Sequence, residues 1–144
     1  MASITMVLKK GHKGIGPRKD SVEGTGAIKD LISKAFSTRN ILHFQHWRTQ
    51  SYAQHNAVGD LYDDIISTID NIVECYQGKF GLITGLSTLG VAEPTDIVSH
   101  VKAEAQWICD NSCAIANDDD TIENLIQDLL AKYYKTIYKL ENLK

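Results

Sequence analysis

The sequence has few cysteines, only two prolines and no long apolar run, and these shortages exclude several classes of protein. The three cysteines are odd in number and lack the close-spaced pairs of a zinc motif, which argues against a disulfide scaffold. No stretch approaches the roughly 18–20 continuous apolar residues of a membrane-spanning helix. The first residues also lack the charged-then-apolar order of a signal peptide, so we expect a cytoplasmic protein without a membrane partner.

What the chain does contain is enough apolar sequence for one domain. It has 144 residues, of which 43% are hydrophobic and 23% charged, so it is not a disordered tail or a charged linker. The net charge of −3 is unevenly distributed. Residues 1–23 carry a net +3 and the remainder a net −6, so we interpret residues 1–23 as a flexible basic N-terminal arm. Its basic residues are candidates for binding a nucleic-acid backbone: Lys9, Lys10, Lys13, Arg18 and Lys19.

Residues 24–144 have the apolar periodicity of helices. Four amphipathic stretches with short connections predict an all-α four-helix bundle. The arm precedes this bundle, and residues 4–8 of the arm favour a short strand. We expect a break at residues 49–51, a helix stop at residues 78–81 and a connection over residues 81–93. Thr95 is a candidate cap for the third helix, and residues 117–120 supply the start of the fourth.

Histidines and carboxylates occur at spacings that suit a metal site. His43, His46 and His55 cluster around the first predicted turn, and Asp70 and Glu74 lie one turn apart on the second helix. Imidazole and carboxylate together suit iron, zinc or manganese. Two like charges one turn apart repel each other, which a bound cation or exposure to water would relieve. The spacing therefore leaves a structural histidine cluster and a pair of solvated acids open as alternatives.

The second predicted helix has two sides that favour burial. One side is continuously apolar, whereas Ile66 and Val73 alternate with acids on nearly the opposite side. We therefore expect the side carrying Asp70 and Glu74 to be covered by another subunit.

The string from His46-Trp47 through His55 to Asp70 and Glu74 resembles the Dps-like miniferritins (DNA protection during starvation) of the ferritin-like superfamily. In that family a His-Trp pair near the end of the first helix is followed by a histidine that opens the second. An Asp-x-x-x-Glu pair follows fifteen residues later, as Asp70 and Glu74 follow His55 here. The stretch from His43 to Phe80 also looks like a group of small tailed-phage proteins related to this fold.

The resemblance implies a ferritin-like bundle that binds iron, oxidises ferrous ions with peroxide or oxygen, and stores or detoxifies them. His46 and His55 of one subunit and Asp70 and Glu74 of its partner would form the ferroxidase site across a two-fold interface, with His43 as an auxiliary ligand. Family members are homo-oligomers whose dimers close into hollow dodecamers, and some bind DNA through terminal arms. A phage-encoded member would act in the host cytoplasm.

Two departures from the family pattern bear on oxidation more than on fold. His55 follows His46 by nine positions, three fewer than is usual, and Gly59 occupies a position that is often acidic. Three hypotheses therefore stand together: a ferroxidase, a metal site that only stabilises a dimer, and a non-enzymatic helical assembly or nucleic-acid-associated protein that retains the fold. The last depends on the basic arm rather than on the histidines.

Overall fold

The computed structural model describes residues 22–144, with side chains from residue 26 onward. This part of the chain forms four helices and no strand: α1 is Val22–Arg48, α2 is Tyr52–Phe80, α3 is Ile97–Ile115 and α4 is Asp120–Asn142. The predicted all-α bundle is thereby confirmed. The helix α1 begins two residues before the predicted start of the bundle.

The helices run up, down, down and up, as side-chain pairs between them establish. Thr38 on α1 contacts His100 on α3, and Lys34, one turn earlier, pairs with Glu104, one turn later, so α1 and α3 are antiparallel. The ion pairs Lys79–Asp119 and Lys139–Asp60 make α2 and α4 antiparallel in the same way. The helices α1 and α2 are antiparallel too, because His46 contacts His55 and the earlier His43 contacts the later Tyr62. Since α2 and α3 therefore point in the same direction, the chain must return along the whole bundle between them.

Residues 81–96 make that return, and we call them the crossover. Ser33, in the first half of α1, donates a hydrogen bond to the carbonyl of Ser87, and Arg48 at the end of α1 pairs with Glu93. The crossover therefore runs along α1 in the same direction. One long crossover in a four-helix bundle is the connectivity of ferritin-like folds.

The predicted apolar stripes meet in one core. Its largest fully buried side chains come from all four helices and are mostly isoleucine, leucine and tyrosine. Burial of each such side chain stabilises the fold by roughly 1.5–3 kcal/mol relative to exposure. The core members that are at most 2% exposed include Ile28, Leu31, Leu42, Leu61, Ile65, Ile69, Ile72, Tyr76, Ile108, Ile115, Ile122 and Tyr133.

The helix ends follow local capping chemistry, with one correction to the sequence-based expectation, at the cap of α3. The helix α2 ends within the predicted stop at residues 78–81: it continues through Gly78 to Phe80, and its cap is Gly81, whose φ of 99° suits only glycine. The cap of α3 is Asp96, which accepts a hydrogen bond from the backbone of Val98, and not Thr95. Asp119, within the predicted start of α4, is its cap. Among residues 22–144, no helix is both long and apolar enough to cross a membrane.

Candidate metal-binding site

His46 and His55 face each other across the turn that joins α1 to α2. Their rings stack with centroids 3.6 Å apart and planes 22° apart. Nδ1 of His46 lies 2.9 Å from the backbone oxygen of His55, and Nδ1 of His55 lies 2.9 Å from the backbone oxygen of His46. The two residues therefore form a reciprocal pair, which we call the histidine clasp.

The clasp determines which ring nitrogen carries the proton. A carbonyl oxygen only accepts hydrogen bonds, so Nδ1 of each ring must be the donor. In each neutral ring the lone pair then lies on Nε2. A backbone carbonyl bound to Nδ1–H is the usual way in which proteins orient a histidine for metal binding through its other nitrogen.

The clasp also has a structural effect that requires no metal. His46 lies in the last turn of α1, where backbone carbonyls lack partners within the helix. The ring of His55 supplies a donor to one of these carbonyls and so ties the end of α1 to the first turn of α2. Helix capping and a metal-ready tautomer thus result from the same hydrogen bond.

Gly59 provides the space for the ring of His46. A β-carbon at this position would lie 3.1 Å from Nδ1 of His46 and 3.2 Å from Cε1, closer than side chains normally approach. The missing acid at position 59 and the stacked ring are therefore linked: a side chain at 59 would displace the ring of His46 from its present position.

His43 lies beside the clasp but is enclosed by aromatic rings. Its ring stacks on Tyr62 at 4.3 Å between centroids and contacts Trp47 at 4.4 Å. Tyr62 in turn meets the ring of His46 edge-on at 5.4 Å. Trp47 is 66% exposed, so it covers His43 and not the protein core.

Asp70 and Glu74 are exposed on α2 and have no ion pair or hydrogen-bond partner in the described part of the chain. Fifteen residues of helix separate His55 from Asp70, a distance of about 22 Å along the axis. The histidines and the acids of one chain therefore cannot contact the same ion. Consistent with this separation, no three potential ligands come together within residues 22–144.

The outer side of α2 is open in the single chain. Asp63 and Ile66 are exposed there, and Val73 is half-buried. Asp70 and Glu74 thus lie on a surface that a second subunit can reach. The five basic residues predicted to bind nucleic acid, Lys9, Lys10, Lys13, Arg18 and Lys19, lie outside the described residues.

A second polar cluster joins α1, α3 and α4, and the sequence pattern did not identify it as a unit. Thr38 is buried and lies 3.1 Å from Nε2 of His100, while Lys34 pairs with Glu104 at 3.5 Å. Burial raises the pKa of the neighbouring Tyr133 far above its usual value. The four-residue spacings of Lys34 with Thr38 and of His100 with Glu104 were the available signal.

Comparison with known proteins adds a family but no described activity. No curated protein sequence and no solved structure matches the chain. The model of one protein family, DUF5856, described as a family of unknown function, matches residues 46–140. That region contains His46, His55, Asp70 and Glu74 and spans well over half of the chain. The chain therefore belongs to the DUF5856 family.

Proposed function

We propose that this protein is a Dps-like iron-binding protein that oxidises ferrous ions at sites shared by two subunits. The observation that carries the proposal is the histidine clasp, which leaves Nε2 of His46 and Nε2 of His55 as lone-pair donors. Asp70 and Glu74 of a second subunit supply the carboxylates, since those of the same chain are too far away. His43, stacked between Trp47 and Tyr62, is an auxiliary ligand in this proposal.

The donor set fits ferrous ions, and also zinc or manganese, because imidazole and carboxylate ligands suit all three. In the proposed reaction each ferrous ion is the substrate and loses one electron, and peroxide or oxygen takes up electrons and protons to become water. The residues of this chain hold the ion and determine its access. The second subunit is another copy of this chain, so the proposal requires a homo-oligomer. The resemblance to miniferritins suggests that its dimers assemble into a dodecamer.

The site is tested by separating the two roles of His55. Asparagine can place an amide nitrogen near the position of Nδ1 but has nothing at the position of Nε2. We therefore expect His55→Asn to retain the clasp partly and to lose ferrous binding in anaerobic calorimetry and peroxide-dependent oxidation in stopped-flow absorbance. Asp70→Asn should lose both as well. Asp63→Asn, an exposed acid on the same helix, is the matched control and should retain them.

Complementation tests whether the ligands come from two chains. His55→Asn and Asp70→Asn subunits, unfolded together and refolded as a mixture, form mixed dimers in which one of the two interface sites has all its ligands. Random pairing predicts recovery of about a quarter of the wild-type oxidation rate. No recovery in demonstrably mixed dimers, or unchanged oxidation by His55→Asn alone, would contradict the shared site.

A further inference from the structure

Two cysteines lie one turn apart on α3 and face α4. Cys109 is exposed and Cys113 is half-buried, and both are free thiols. The thiol of Cys113 donates to Oε1 of Glu123 at 3.4 Å, and the hydroxyl of Tyr134 interacts with the thiol of Cys109. Glu123 and Tyr134 both belong to α4, so the two thiols point to the same seam between the helices. We call Cys109 and Cys113 the thiol pair.

The packing of α3 against α4 fixes this orientation. Ile108 and Ser112, each directly before a cysteine of the pair, are buried. Further along the seam Lys102 pairs with Glu141, as the antiparallel course of the two helices requires. Because the buried residues prevent rotation of α3, the thiol pair is held at the rim of the seam, where solvent reaches Cys109.

The spacing of the pair is too wide for a disulfide and suits a bridging ion. Side chains four residues apart on a helix have Cβ atoms about 5–6 Å apart. A disulfide requires roughly 3.5–4.5 Å between these atoms, so the pair cannot form one without distorting this turn of α3. A metal–sulfur bond is about 2.3 Å long, so an ion between two sulfurs holds them roughly twice as far apart as an S–S bond does.

We propose that the thiol pair binds a Cu(I) ion through both sulfurs. Thiolates are soft ligands and select soft ions such as Cu(I), which is stable with two thiolates in line. Structural zinc is almost always four-coordinate, whereas no three potential ligands come together within residues 22–144. On binding, each sulfur releases its proton and donates an electron pair to the ion, so neither copper nor sulfur changes its oxidation state.

Glu123 and Tyr134 position the sulfurs and are not ligands in this proposal. The carboxylate of Glu123 accepts the hydrogen bond of Cys113, so it can receive that proton when the ion binds. Tyr134, which is 51% exposed, flanks Cys109 and leaves a path for the ion from solvent.

The thiol pair is separate from the proposed iron site. The histidine clasp lies at the end of the bundle where α1 ends and α3 begins, whereas Cys113 is two residues before the end of α3. The donors also differ, since imidazole and carboxylate suit iron and thiolate suits Cu(I). The proposal therefore does not rest on the iron site, and either site can fail without the other.

Competition with a chelator tests the thiol pair. The full-length reduced protein is titrated without oxygen against the coloured Cu(I) complex of bicinchoninate, which removes the ion from weaker sites. We expect wild type to take one Cu(I) per chain, and Cys109→Ser and Cys113→Ser each to bind about tenfold or more weakly, because one metal–sulfur bond is lost. Cys75→Ser, the half-buried cysteine of α2, and His55→Asn should bind as wild type does. Equal binding by the Cys109→Ser or Cys113→Ser variant and the wild type would overturn the proposal.

Alkylation of the wild-type protein tests the same site without a substitution. N-ethylmaleimide modification of each cysteine is followed by mass spectrometry with and without one equivalent of Cu(I). We expect the ion to slow modification of both Cys109 and Cys113 about tenfold or more, since a coordinated sulfur is not free to react, and to leave Cys75 unchanged. Protection of a single cysteine, or equal protection of all three, would contradict a site formed by the pair. Copper X-ray absorption should show two sulfur neighbours; nitrogen neighbours would place the ion on histidines and refute the proposal.

Discussion

The hydroxyl of Thr38 and Nε2 of His100 lie 3.1 Å apart and join the middle of α1 to the first turn of α3. Thr38 is buried and His100 is half-buried, so this contact lies at the margin of the core. Burial lowers the pKa of His100; the carboxylate of Glu104 opposes that effect, and the ammonium of Lys34 adds to it. Burial at this contact between α1 and α3 therefore disfavours the protonated form of His100.

Acidification should weaken the fold through His100. The unfolded chain takes up this proton near pH 6.5, whereas the native chain does so only at lower pH. The contribution of neutral His100 to the free energy of unfolding is therefore fully present above pH 6.5. It is lost as the pH falls through the lowered pKa of the native state. Urea unfolding between pH 8 and pH 5 measures the effect. His100→Gln keeps a polar atom near Nε2 but cannot titrate, so its stability should fall less over this range; an identical pH dependence would contradict the assignment.

Two glycines of α2 should respond oppositely to alanine. Gly78 has open space around its α-carbon, so Gly78→Ala should stabilise the protein by up to about 1 kcal/mol through helix propensity. Gly59→Ala gains the same helical preference but forces the ring of His46 aside. We expect a net loss of stability, together with changed ¹⁵N shifts of the His46 ring. Equal stabilisation by both substitutions would mean that the ring is not confined by Gly59.

Two replacements of His55 should distinguish the stabilisation by its hydrogen bond to α1 from the stabilisation by ring stacking. His55→Ala removes the donor to the His46 carbonyl and should lower the free energy of unfolding by about 1–2 kcal/mol. His55→Asn can restore a donor at that distance, so it should lose less. Thermal or urea unfolding of the metal-free protein measures both. If the two variants lose the same stability, the loss comes from the packing of the His55 ring, and its hydrogen bond to the carbonyl of His46 does not add to the free energy of unfolding.

Asp119 should stabilise the fold both as the cap of α4 and as the ion-pair partner of Lys79. It accepts a hydrogen bond from the backbone of Ile122 at 2.9 Å and pairs with the half-buried Lys79. Burial alone would raise the pKa of Asp119, but these hydrogen bonds outweigh it and hold that pKa below its usual value.

Asparagine and alanine distinguish the two contributions of Asp119. Asp119→Asn retains a good cap and loses only the charge, whereas Asp119→Ala loses both and should cost about 1 kcal/mol more in urea unfolding. Asp96→Ala, which removes the exposed cap of α3, is the reference for a cap that is not buried. A loss in Asp119→Asn equal to that in Asp119→Ala would assign the whole effect to Lys79.

Local chemistry made the helices predictable. The signals are apolar residues at three- and four-residue spacing and the capping residues Ser51 before α2 and Asp119 before α4. They act within one or two helical turns, so the sequence alone is enough to predict their effect. The exact stops were harder to predict, because Gly78 and Gly81 are equally good breakers by type. Packing of Phe80 against the core carries the helix past the first of them.

The amino-acid sequence is sufficient to predict four amphipathic helices and to locate imidazoles and carboxylates at ligand-like spacings. Only the tertiary structure shows that His46 and His55 exchange hydrogen bonds through Nδ1 and that Gly59 makes room for the ring of His46. It also decided that Thr38, His100, Lys34 and Glu104 form one cluster. The physical reason is that tautomer, ring stacking and contact across helices depend on distances between residues remote in sequence, which side-chain periodicity does not encode.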